Sequence, residues 1–154
     1  MEPVRLLAFA VASGKAGYVG LHGEDLCHWG IAIKPTRHPD DLARFAQGQI
    51  DEFAPDVVVT EAPSRSCRKG ARTRTLILSI AQQAASNEVL DVAVPRVQHY
   101  RSKYQEAEAL VKSYRDLIGY LPKRTPRFYE PEPRSMILFE ALALAEAVKY
   151  GPQR

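Results

Sequence analysis

The sequence predicts an α/β fold, a short antiparallel meander followed by alternating helices and strands. Three observations carry this. The first thirty-odd residues read as three successive strands joined by tight turns. The remainder alternates 3.6-period and strand-like segments. The short apolar run Val57-Val58-Val59, leading to Glu61, has the character of a strand covered on both faces.

Taken in order, Val4 to Ala12 is a strand, Gly14 a turn, and Gly17 to Leu21 a second strand. His22-Gly23-Glu24-Asp25 makes a hairpin turn into a third strand, Leu26 to Ile33. Turn residues Lys34 to His38 follow, and Pro39-Asp40 open a helix ending near Ala54-Pro55. Its buried face is Leu42, Phe45, Gln49, Ile50 and Phe53. A strand then runs to Glu61, and a loop leads to a helix from about Arg74 to Ala85 that buries Leu76, Ile77, Ile80, Ala81 and Ala84. Leu90 to Val94 is a strand stopped by Pro95. The polar segment Arg96 to Lys103 precedes a helix over Tyr104 to Ile118, with Ala107, Leu110, Val111, Tyr114 and Ile118 as its stripe and Gly119 as its C-cap. Four prolines make Tyr120 to Pro133 an extended loop, and a last helix runs from about Arg134 to Lys149.

A chain of 154 residues with 45% hydrophobic and 25% charged residues has the composition of a single domain over 1–154. The net charge of +3 is too small to argue for a polyanion partner by itself; the distribution is what matters. Cys27 and Cys67 form no CxxC pair and no His stands at zinc-ligand spacing, which fits reduced thiols better than a disulfide or zinc. The apolar run Val4 to Ala12 is too short to span a bilayer and lacks a secretory cleavage region, so the expected location is cytoplasmic.

Two places carry chemistry. Glu61 ends a buried strand, where a carboxylate can reach a cleft that it could not occupy mid-strand without a partner. The twelve residues Ser64 to Thr75 then hold Arg65, Arg68, Lys69, Arg72 and Arg74, five of the chain's 21 basic residues, and no acid lies between Ala62 and Asn87. A carboxylate beside a basic loop suits a metal and a polyanion in one site; a strand-end ion pair on a solvated loop is the plain alternative. The last helix is apolar nearly all round, and Glu140 is the only charged residue between Met136 and Ala145. An ionised Glu there needs a partner, a proton or a metal, unless it lies on a narrow solvent strip. Glu146, about 240° further round the helix, belongs to another face and reads as a surface residue.

The element order is that of a ribonuclease H-like fold, and the chain resembles the RuvC-type Holliday junction resolvases over nearly its whole length. Leu7 to Tyr18 is similar to the family's first strand and turn, Val58-Val59-Thr60-Glu61 to the strand bearing its glutamate, and Lys69-Gly70-Ala71-Arg72 to the stretch after it. Val92-Ala93-Val94 with Arg96 to Lys103 resembles the strand and basic segment before the penultimate helix, and Phe139-Glu140-Ala141-Leu142-Ala143-Leu144-Ala145 the final helix. The resemblance implies a five-stranded mixed sheet, three antiparallel strands then two parallel ones, flanked by helices. It implies a structure-selective DNA endonuclease resolving branched DNA with two Mg2+ ions (Mn2+ substituting), acting as a homodimer on four-way junctions. Glu61 and Glu140 would be metal ligands. Arg65, Arg68, Lys69, Arg72, Arg74, Arg96, Arg101 and Lys103 would contact phosphates. Tyr100, Tyr104 and Phe128 are core residues by type and candidate base-stacking groups by position.

The pattern departs at two ligands. Ala10 stands where the family's first-strand aspartate bridges the metals, and Ile137 where the final helix carries a second aspartate. Glu132 is a further candidate for the missing carboxylate. Two origins of Ala10 stay open. An engineered Asp-to-Ala variant fits the otherwise intact opening strand, and a natural nucleic-acid-binding module without catalysis fits Ile137. The related ribonuclease H-like enzymes acting on ribosomal RNA precursors are a third reading.

Overall fold

A computed structural model describes residues 3–62 and 69–149. Its strands are β1 (Arg5–Ala12), β2 (Lys15–His22), β3 (Asp25–Ala32), β4 (Val57–Glu61) and β5 (Leu90–Val94); its α-helices are α1 (Pro39–Phe53), α2 (Ala71–Ala85), α3 (Lys103–Ser113) and α4 (Met136–Lys149). They form one mixed sheet in the order β3-β2-β1-β4-β5. β1–β2 and β2–β3 pair antiparallel, β1–β4 and β4–β5 parallel. The expected five-stranded α/β sheet is therefore present. Tight turns at Gly14 and Gly23 make the meander possible, both with positive φ (72° and 62°), a conformation glycine adopts without steric cost.

β1 is central, and its alternation divides the core. Leu6, Ala8 and Ala10 face a cluster with α3 and α4, while Leu7, Phe9 and Val11 face α1 and α2. Both faces are buried, as the unbroken apolar run requires. The same alternation in β4 sends Val59 to the α4 side and Val58 to the α2 side. Glu61, two residues beyond Val59, thus belongs to the α4 face at the strand's end.

Four expectations change. In α1 Ala46 is buried and Phe45 only half-buried, because the inward row is Leu42, Ala46, Ile50 and Phe53. α2 starts a turn earlier than its apolar pattern, capped by Gly70, because Ala71 to Thr75 offer no apolar face to the sheet. Arg72 and Arg74 thus stand on its first turns and not in a loop. The helix expected over Tyr104 to Ile118 breaks at Tyr114 (φ −126°, ψ 72°) and continues as a 3-10 turn over Arg115–Tyr120. The tighter winding moves the inward residue by one: Leu117 is fully buried and Ile118 is 56% exposed, while Gly119 lies inside the turn and caps nothing. Glu146 is half-buried and accepts a hydrogen bond from the Tyr114 hydroxyl, which also accepts from Lys149 at 3.2 Å.

Candidate active-centre cleft and nucleic-acid interface

The register of β1 on β4 pairs Ala8 with Val59, and two residues further along both strands brings Ala10 beside Glu61 on one face. α4 crosses that face. Its approach is close, because Gly17, the register partner of Ala10, has the Ile137 backbone and side chain about where a Cβ would lie, at 2.9 Å. Ile137 is therefore seated over the Ala10–Gly17 pair, and Glu140, one turn later, reaches towards Glu61. Ala10, Glu61, Ile137 and Glu140 gather at the end of β1 and β4.

A cation already stands among them. The Lys69 ammonium lies 2.8 Å from Glu61 Oε1, donates to Glu140 Oε1, and donates to the Val11 carbonyl at 2.6 Å. Two of the ammonium's hydrogens go to Glu140 Oε1 and the Val11 carbonyl, and Glu61 is held by its charge at ion-pair distance. Glu61 is 4% exposed, and the Lys69 and Glu140 side chains about a fifth exposed (19% and 20%). Burial alone lowers the pKa of the Lys69 ammonium; the charge and hydrogen bond of Glu140, then those of Glu61, outweigh it and hold the pKa above the ordinary lysine value.

A second buried pair backs the first. Arg96 forms a forked bridge with Glu106, its Nη1 3.0 Å from Oε2. Burial lowers the Arg96 pKa; Glu106 chiefly, then Glu140 and Glu61, raise it on balance. Arg96 is thus electrostatically tied to the carboxylate cleft.

These contacts correct several expectations. Lys69 and Arg96 are bound to buried carboxylates and not presented to phosphates. Their charge is spent internally because each faces an acid that burial would otherwise strand. Lys103 bridges Glu132, which also lies 3.8 Å from Lys15, so Glu132 is held between two lysines at the start of α3 and of β2. Arg72, Arg74 and Arg101 are exposed. Arg72 donates to the Arg37 carbonyl and Arg74 to that of Lys69, both at 3.0 Å. Arg65, Cys67 and Arg68 lie outside the described residues. Tyr104 packs partly into the core, whereas Tyr100 is 44% and Phe128 101% exposed, against their core-type character.

The donor set does not fit a pair of divalent ions. Two-metal phosphodiester chemistry needs several carboxylates, one bridging both ions about 3.5–4 Å apart. β1 contributes a methyl group at Ala10 and α4 an alkyl chain at Ile137. Among the described residues no three His, Cys, Asp or Glu side chains gather as a metal site. Reading the sequence missed Lys69 as the partner of both acids. The available signal was a lone lysine eight residues after Glu61, in a stretch otherwise free of acids, combined with the missing aspartate.

No family model and no curated protein matches the chain. Solved structures do. Thermus thermophilus RuvC in complex with Holliday junction substrate matches with a TM-score of 0.58 at 14% identity, over 96% of each chain. The Fowlpox virus resolvase in complex with Holliday junction DNA also gives 0.58, at 13% identity, over 94% of this chain and 98% of that one. The chain therefore has the ribonuclease H-like fold of the Holliday junction resolvases. No helix among the described residues is long and apolar enough to cross a membrane.

Proposed function

We propose that this chain binds branched, four-way-junction DNA through its resolvase fold and, with Ala10 and Lys69 in place, holds the junction without cutting it. The observation that carries this reading is the Lys69 ammonium between Glu61, Glu140 and the Val11 carbonyl, at a centre whose other two acid positions are Ala10 and Ile137. A single engineered change at Ala10 would leave Ile137 and this lysine unexplained, which favours a natural module. Lys69 neutralises acids that would otherwise repel both each other and an incoming phosphate. Phosphate contacts then fall to the exposed Arg72, Arg74 and Arg101, together with Arg65 and Arg68 in the segment after Glu61. A homodimer matches the two-fold character of a four-way junction.

A second reading is favoured by the convergence of Glu61 and Glu140: a Mg2+-dependent endonuclease whose active form carries Asp at position 10. Cleavage of branched DNA by Ala10→Asp in Mg2+ or Mn2+ would support it.

The test of binding is a titration of a four-way junction, a duplex of the same sequence and an RNA duplex, at several salt concentrations in chelator. We expect preference for the junction, with Arg72→Ala and Arg101→Ala each reducing the slope of log K against log salt by about 0.9. Equal affinity for junction and duplex removes the structure selectivity, and preference for RNA points to the ribosomal RNA-precursor reading.

A further inference from the structure

The segment between the 3-10 turn and α4, residues 121–135, holds the most exposed aromatic group among the described residues. Phe128 is 101% exposed, and Tyr129, 64% exposed, meets it edge-on with ring centroids 5.5 Å apart and planes at 87°. An apolar ring fully in water forgoes the gain of burial, so its surroundings matter. They are built around it. Arg124 grips both carboxylate oxygens of Glu130 at 2.9 Å. The backbone N–H groups of Arg127 and Glu130 close the turn, onto Glu130 Oε1 at 3.1 Å and the Arg127 carbonyl at 2.9 Å. The Arg127 guanidinium donates to the Tyr129 hydroxyl at 2.8 Å. Prolines 122, 126, 131 and 133 restrict the chain on either side, and Glu132 fastens the segment to Lys103 and Lys15. The ring is thus presented by a braced turn.

The charge around the turn selects the occupant. Residues 121–135 carry Lys123, Arg124, Arg127 and Arg134 against Glu130 and Glu132. A protruding aromatic face amid excess cations is complementary to a nucleobase whose phosphates lie alongside, and every base offers a π-face once it is unstacked. We infer that Phe128, propped by Tyr129, is a stacking site for unpaired bases at a DNA branch point. This rests on the junction-binding reading above.

The experiment uses the full chain and a four-way junction carrying 2-aminopurine at the crossover, with Phe128→Ala and Phe128→Trp as variants. The parent should bind and quench the 2-aminopurine, since stacking quenches it. Phe128→Ala should lose the quench and bind the junction about tenfold more weakly, within the range for one stacked base. Its affinity for uninterrupted duplex should be unchanged, and Phe128→Trp should retain both quench and affinity. Unchanged quench and affinity in Phe128→Ala overturn the stacking site, as does an equal loss on junction and duplex. A changed sedimentation coefficient with the quench intact also overturns it, making the ring a protein contact. Failure of the parent to bind the junction removes the underlying reading as well, so the two failures are distinguishable.

Discussion

Replacing Lys69 with Met keeps the unbranched stem, one atom shorter, and removes the charge, which tests the role of the ammonium. In the parent it pairs with Glu61 and donates to Glu140 and the Val11 carbonyl. Breaking a buried ion pair by deleting one partner costs about 3–5 kcal/mol, because the other charge is left without compensation. Glu61 is almost fully buried, but Glu140 is a fifth exposed and can regain water. The lower end, about 3 kcal/mol, is the expected loss. For a chain of this size that corresponds to a fall in Tm of roughly 6–12 °C. Urea unfolding at pH 7 measures it as a lower midpoint with unchanged slope. Adding Glu61→Gln and Glu140→Gln should recover more than half of the loss by removing the stranded charges. A change below about 1 kcal/mol, the scale of an exposed pair, would show that the ammonium does not compensate buried charge. So would a triple variant no more stable than the single one.

The pKa of Lys69 is raised on folding, so its stabilisation is complete below the unfolded lysine value of about 10.4 and is lost as pH rises through the higher folded value. Alkaline unfolding curves should show this loss in the parent and lack it in Lys69→Met. Arg96→Ala strands Glu106, whose side chain is 7% exposed. It should cost about 3 kcal/mol in unfolding experiments while leaving the salt slope of DNA binding unchanged. Arg72→Ala and Arg101→Ala should do the reverse, with stability changes within about 0.5 kcal/mol. Ala10→Asp adds a third carboxylate beside Glu61. In thermal melts, millimolar Mn2+ should raise the Tm of that variant and leave the parent's within error; equal shifts in both would show that the metal does not need Asp at position 10.

The sheet was legible because its strands carry strong local signals: the Gly14 and Gly23 turns, the two-sided apolar runs of β1 and β4, and the Pro95 stop after β5. The gathering of Glu61 and Glu140 was legible too. One ends a buried strand and the other is isolated on an apolar helix, and burial forces both towards a shared partner. The identity of that partner was hidden. A lysine in a basic stretch has the same composition whether it faces solvent or turns inward, and only the placement of Lys69 just before α2, within reach of β1 and α4, decides it. Arg96 was misread for the same reason, since its partner Glu106 lies on a helix with no sequence mark of burial at that position. The break at Tyr114 escaped periodicity because a 3-10 turn shifts the apolar stripe by only one residue. Phe128 was misjudged by residue type, since ring chemistry favours the core and only the bracing of residues 124–130 shows the ring held outward.

In the proposed function the Lys69 ammonium stands among the acids of the cleft, and junction binding without cleavage is the outcome to test. The most direct measurement is to incubate the parent chain with a labelled four-way junction in Mg2+ and in Mn2+, at protein concentrations where a chelator-treated control shows the junction fully bound. Bound junction recovered without a nick in either metal is the predicted result. Metal-dependent nicks by the parent, absent with chelator and abolished by Glu61→Gln, would contradict it.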